Sequence, residues 1–176
     1  MRIKLSKIFL TPLLIFALIS CRGEKKKEEK IDWSKNHSVD FNQEINEREQ
    51  IQINLFLAHH YYLKMKQTSS GLRYMIFQQS KEGDKAKEGQ LATIRLRVEL
   101  LDGRVCEETP IGKTEMMVIG KSDKESGVHE ALKLMRKGER AKLILPSYLG
   151  HGLLGDRTKI PPQAVLYIDL ELIELK

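Results

Sequence analysis

Thr93-Ile94-Arg95-Leu96-Arg97-Val98-Glu99-Leu100-Leu101-Asp102-Gly103 decides the fold. Ile94, Leu96, Val98 and Leu100 alternate with Thr93, Arg95, Arg97 and Glu99, the period of two that puts apolar side chains on one face of a strand and polar ones on the other. Asp102-Gly103 then supplies a hairpin turn, and Arg104 to Cys106 begins the return. The same period recurs in Glu115 to Ile119, in Ala141, Leu143 and Leu145 within Arg140 to Leu145, and in Leu166, Ile168, Leu170 and Leu172, while Arg73 to Phe77 adds a further strand. Gly127 to Met135 is different. Val128, Ala131, Leu132 and Met135 recur at helical spacing, with Ser126 as N-cap and Gly138 just past the end. The expectation for residues 71–176 is an α+β domain, an antiparallel sheet wrapped around one short helix.

Upstream, no Gly or Pro interrupts Asn42 to Lys66, and Ile45, Glu49, Gln52, Phe56 and Tyr62 form a loose helical stripe, so residues 42–70 read as an N-terminal helix and a linker. Phe56, Tyr61 and Tyr62 offer a face for the sheet or for a second copy of the chain, the sheet being the more economical expectation. His59 and His60 are adjacent and point to different faces, the wrong spacing for a pair of metal ligands on a helix. The first twenty residues stand apart. Met1 to Lys7 is positive, Ile8 to Ile19 is an apolar run, and Ser20 is a small residue before Cys21, the outline of a cleaved signal peptide. That run is far shorter than the roughly 20 residues a bilayer-spanning helix needs. Leu18-Ile19-Ser20-Cys21 resembles the bacterial lipobox, which makes Cys21 a lipidation site and residues 21–41 an acylated Cys followed by a charged tether, Glu24 to Lys30.

The whole chain of 176 residues carries a formal charge of +6. Arg2, Lys4 and Lys7 hold three of those charges within the signal peptide, so the remainder is nearly balanced and gives no ground for a nucleic-acid partner. Two cysteines make no disulfide scaffold. Gly150-His151-Gly152-Leu153-Leu154-Gly155 matches a dinucleotide-binding glycine pattern, but Pro161-Pro162 arrives before the long helix and parallel strand that pattern requires. No phosphate loop, C-x-x-C, H-E-x-x-H or nucleophile elbow occurs, so neither a metal nor another cofactor is expected.

An ordered series remains: Glu88-Gly89-Gln90, Leu101-Asp102-Gly103, Val118-Ile119-Gly120, Leu134 to Ala141 with Gly138-Glu139-Arg140, Leu145-Pro146-Ser147-Tyr148, Gly152, and Ile160-Pro161-Pro162 followed by Ala164 and Leu166. From about Gly71 to Lys176 it resembles the FK506-binding-protein (FKBP) family of peptidyl-prolyl cis-trans isomerases. Together with the lipobox and the preceding helix, the layout resembles the gliding-motility-associated FKBP lipoproteins of Bacteroidetes, and Lys27-Glu28-Glu29 is similar to their surface-export signals.

The resemblance implies a proline-binding pocket with walls at Leu96, Cys106, Met117, Lys124, Glu125, Val128, His151 and Ile168, and Glu107 at the acidic position after the hairpin. It also implies isomerisation of X-Pro bonds in exported or envelope proteins by a lipid-anchored enzyme, periplasm-facing or at the cell surface. Most of the family's aromatic walls are replaced. Leu96, His151 and Ile168 stand where the family has tyrosine, tyrosine and phenylalanine, and Cys106 stands at another phenylalanine position. The alternative expectation is therefore a weakly active or inactive FKBP-fold module for peptide binding, chaperoning or assembly.

Overall fold

A computed structural model describes residues 35–81 and 83–176, with side chains from residue 38 onward. The signal peptide, Cys21 and the tether through residue 34 lie outside the described residues. The chain divides into two units between Ser34 and Lys35, and the second, Lys35–Lys176, holds the sheet and both helices.

Seven strands form one antiparallel sheet: β1 (Lys66–Gln67), β2 (Arg73–Gln78), β3 (Leu91–Leu100), β4 (Val105–Glu108), β5 (Glu115–Val118), β6 (Arg140–Leu145) and β7 (Leu166–Leu175). The order is β1-β2-β6-β7-β3-β4, and β5 also pairs with β3. The alternation read along β3 is realised: Ala92, Ile94, Leu96, Val98 and Leu100 are buried, and they meet Leu170 and Ile168 of β7 in register, Leu96 opposite Leu170 and Val98 opposite Ile168. β3 pairs with β7 along its whole length. On its other edge β3 is shared, with β5 on its first half and β4 on its second.

Helix α1 (Lys35–His59) and helix α2 (Ser126–Leu134) cover opposite faces of the sheet. Val128, Ala131 and Leu132 of α2 join Leu143 and Leu145 in the main core. The approach is close, because a Cβ on Gly127 would fall 2.6 Å from the Leu145 side chain. Glu125, not Ser126, is the N-cap of α2; Ser126 lies inside the helix, and its hydroxyl donates to the Leu149 carbonyl (3.2 Å). The helix ends at Met135, in extended backbone, and Gly138 at φ +81° belongs to the turn entering β6.

α1 begins seven residues before the Asn42 expected from the stripe and ends seven before Lys66. Lys35 to Phe41 has no apolar repeat to announce it, and at the other end no Gly or Pro marks the stop. The stop is tertiary. The His60 ring stacks on Phe56 at 4.0 Å, Leu63 turns into the fold at 5% exposure, and Lys66–Gln67 pair with β2. Ile45, Glu49 and Ile53 make the buried face of α1, with Ile53 against Ile144 and Val165 on the outer side of β6 and β7. Phe56 joins that cluster as expected, whereas Tyr61 and Tyr62 are exposed.

Glu49 is 1% exposed, and its Oε2 accepts the Ser147 amide at 3.0 Å, tying α1 to the chain just after β6. Next to it, Arg48 donates to the Gln163 side chain. α1 thus grips both ends of the 147–163 loop.

If α1 is an integral layer, Ile53→Ala should cost about 2–5 kcal/mol, the usual penalty for truncating a fully buried aliphatic side chain. Urea denaturation should show a lower midpoint at unchanged slope. A loss under about 1 kcal/mol, typical of surface positions, would show that α1 merely rests on the sheet.

Candidate functional site

The start of α2 faces three segments that β3 organises: β4, the first residue of β5, and the 147–163 loop. Because β4 and β5 share one edge of β3, the chain between them must bridge a gap. It does so through Thr109, whose amide donates to the Leu96 carbonyl (2.9 Å) and whose hydroxyl accepts the Leu96 amide (3.1 Å). The Thr109 hydroxyl also donates to Glu115 Oε1. Lys124, just before the helix, places Nζ 2.6 Å from Glu107 Oε1 and 2.9 Å from Glu115 Oε2. One ammonium therefore bridges two carboxylates, one from β4 and one from β5.

On the other side of the helix start, the Glu125 side chain is 4% exposed and its Oε1 lies 3.0 Å from His151 Nε2. The other oxygen, Oε2, is buried without a partner. Val128 and His129 make the first amide bonds of the turn, both to the Glu125 carbonyl, so the amides of Glu125, Ser126 and Gly127 precede the helical ladder and have no intrahelical acceptor. His129 braces the preceding loop: its Nδ1 accepts the Gly120 amide (2.9 Å), so its Nε2 carries the proton and donates to the Ser122 carbonyl (2.9 Å).

The loop carrying His151 is built around Asp156. Desolvation opposes its ionisation, but the amides of Thr158, Ile160 and Lys159 and the Thr158 hydroxyl outweigh that and hold its carboxyl far below the usual range. Gly155, at φ +65°, passes so near that a Cβ would collide with the Ile160 carbonyl. The far end of this loop reaches β4, where the Cys106 sulfur lies 3.7 Å from the Lys159 carbonyl. Burial, then the charge of Asp156, pushes the Cys106 thiol up, which keeps it protonated and a poor nucleophile.

The structure places Leu96, Cys106, Val128 and Ile168 together in the main core, each 6% exposed or less. Glu107, Glu125 and His151 surround the start of α2. Met117, opposite Ala92 and 3% exposed, joins the same core cluster. Glu115, two residues earlier and on the same face of β5, is that strand's contribution to the charged cluster. Sequence reasoning missed Glu115 and Thr109; the period of two through Met117 was the available signal for Glu115. A groove of about 680 Å³ between α1 and the β3–β4 turn is lined by none of these residues but by Leu55, Phe56, His60, Leu101 and Pro161 among others.

Burial pushes the Glu115 carboxyl up, but the Thr109 hydroxyl and the Lys124 ammonium outweigh it and leave it below its ordinary value. Burial pushes Lys124 down, and Glu107 and Glu115 outweigh that, leaving it raised. A depressed carboxyl stabilises the fold above its unfolded pKa, and that contribution disappears as pH falls through the folded value; a raised ammonium stabilises below its unfolded pKa and ceases to do so as pH climbs through the folded one. Glu115→Gln should therefore cost about 1 kcal/mol near neutral pH, a figure reduced for partial exposure. The difference from the parent should vanish on acidification below the ordinary carboxylate range, as followed by thermal unfolding against pH. A constant difference would mean that the charge of Glu115 is not what matters.

The fold is that of known structures. The crystal structure of FkpA from Escherichia coli matches with a TM-score of 0.64 at 23% identity, covering 79% of this chain and 64% of that one. A peptidyl-prolyl cis-trans isomerase from Pseudomonas syringae matches with 0.62 at 20%, covering 72% and 92%. In sequence, human peptidyl-prolyl cis-trans isomerase FKBP9 is 35% identical over 91 residues, which is 51% of this chain but 16% of that protein. The isomerase FkpA of Escherichia coli K12 is 29% identical over 112 residues, 64% of this chain and 40% of FkpA. The chain thus spans less than half the length of these two relatives. Residues 82–173, just over half of the chain, match the FKBP-type peptidyl-prolyl cis-trans isomerases, and the protein belongs to that family.

Proposed function

We propose that the protein is a peptidyl-prolyl cis-trans isomerase acting at the start of α2 on X-Pro segments of exported or envelope proteins. Family membership supports the reading, and one observation carries it. The amides of Glu125 to Gly127 stand without intrahelical acceptors beside the apolar floor of Val128, Leu96 and Ile168. Rotation about a prolyl amide must cross about 18–20 kcal/mol because resonance is lost in the twisted state. Water favours the planar, charge-separated form. An apolar floor withdraws that advantage, and a fixed amide donor holds the substrate carbonyl through the rotation, each 1.36 kcal/mol of preference for the twisted state giving about tenfold in rate. His151, whose Nε2 lies against Glu125 Oε1, forms the opposite wall. No nucleophile or metal is required.

Cys21, by the lipobox reading, tethers this domain to the cell envelope, periplasm-facing or at the surface, and the gliding-motility lipoproteins are the narrower kin this layout supports. A second reading has its own support: the Lys124 ammonium sits between Glu107 and Glu115, and the floor residues are closed by core packing. Such a site fits a peptide-binding, chaperone or assembly module that holds an extended segment without accelerating its rotation.

Exchange NMR on an X-Pro peptide separates the two. The parent should accelerate exchange, and Glu125→Pro combined with His151→Ala should lose at least about tenfold of it. Glu125 already has φ −56°, so proline fits there while removing the amide donor. Binding without acceleration would select the module. For the anchor, Cys21→Ala should abolish acyl labelling and release the protein from membranes; retention in the membrane fraction would overturn it.

A further inference from the structure

Resting on the proposed isomerase reading, we infer that Glu49 and Arg48 of α1, a helix outside the residues that match the family, are positioning residues of the site: they set the turn that presents His151. A wall fixed before the substrate arrives is what such residues contribute to a reaction that needs no nucleophile.

Two residues anchor the backbone on either side of His151. The Ser147 carbonyl accepts the amides of Gly150 (2.9 Å) and Gly152 (2.7 Å), and the Gly152 carbonyl accepts the Gln163 amide (3.0 Å). Both anchors are held in turn by consecutive residues of α1. Glu49 Oε2 accepts the Ser147 amide at 3.0 Å, and the Arg48 guanidinium donates to the Gln163 side chain. Each path from α1 to a glycine beside His151 thus has one residue in between. The turn has little stiffness of its own, since Gly150 and Gly152 are the least restricted kind of residue and Gly152 stands at φ +62°.

Two features mark these contacts as more than packing. The Glu49 carboxylate is 1% exposed, accepts a single amide and leaves Oε1 buried without a partner, a cost that an apolar side chain beside Ile45 and Ile53 would not carry. What the carboxylate supplies in return is a charge-assisted acceptor for the buried Ser147 amide. At the other anchor, Gln163 is held at φ +57°, a left-handed backbone uncommon for a residue with a side chain, where Arg48 grips it. His151 depends on this support from behind. Its ring is 32% exposed, and its Nε2 lies 3.0 Å from Glu125 Oε1, so a shift of the turn by about 1 Å would take the pair out of hydrogen-bond range.

The test uses the full chain, with turnover of an X-Pro peptide followed by exchange NMR and the position of His151 by its imidazole nitrogen and ring-proton shifts. Glu49→Leu should move the His151 ring signals and lower turnover as far as His151→Ala does. Combining the two substitutions should bring no further loss, since both act through one group. Glu49→Gln, which keeps an acceptor for Ser147, should recover most of the turnover and the parent ring signals. Ile53→Ala, one turn along the same face, separates position from packing: it should weaken the fold while leaving turnover per folded molecule and the ring signals unchanged. Unmoved ring signals in Glu49→Leu, losses that multiply in the double variant, or an equal loss in Ile53→Ala would overturn the inference. Should Glu49→Leu fail to fold, Arg48→Met decides, because its exposed pair with Gln163 can be removed without opening the core. There the Gly152 amide and the His151 ring should both move, and unmoved signals would overturn the inference. No acceleration by the parent would overturn the isomerase reading, and the ring signals would still decide whether α1 positions His151.

Discussion

Pairing of β3 with β7 is the constraint on which the rest depends. It runs from Ala92 opposite Leu175 to Leu100 opposite Leu166 and sets which faces of both strands enter the core. With that edge of β3 occupied, β4 and β5 must share the other, and the chain between them crosses at Thr109. This crossing brings Glu107 and Glu115 to one place, where Lys124 finds both. The charged mouth is thus a consequence of strand order, and α2, seated on the sheet by Gly127, delivers Lys124 and Glu125 to it.

The opposite side of the sheet matters to the same site. α1 lies outside the residues that match the family, yet Glu49 and Arg48 hold the two ends of the loop carrying His151. Glu49 is a buried carboxylate that accepts one amide and keeps Oε1 unpartnered, a costly arrangement that packing by Ile45 and Ile53 on the same face sustains. The Asp156 turn and the close passage of Gly155 fix the loop from within, and α1 fixes it from outside. His151 is held against Glu125 by both.

The sheet was legible because alternation is local: β3, β6 and β7 announce themselves within ten residues each, and the Asp102-Gly103 turn names its own hairpin. Short β1 carries no pattern of its own and exists only because β2 is beside it. The bounds of α1 were displaced because its first turns are polar and its end is set by His60 stacking on Phe56 and by burial of Leu63, contacts a linear reading does not contain. The site divides the same way. The resemblance pointed to Leu96, Val128 and Ile168, which share the main core, and to Glu125 and His151, which lie 3.0 Å apart. The Lys124 bridge joins residues 9 and 17 positions apart, and Glu49 reaches Ser147 across 98, so neither leaves a trace in sequence spacing.

The central claim is that proline-containing segments bind at the start of α2, between the Lys124 bridge and His151, and not in the groove beside α1. Amide chemical shifts followed during titration with an X-Pro peptide test this directly. The account predicts perturbations concentrated at Glu125 to Val128, at Glu107 and Glu115, and along His151 to Lys159. Perturbations centred on Leu55, Phe56, Leu101 and Pro161, with the start of α2 unmoved, would contradict it.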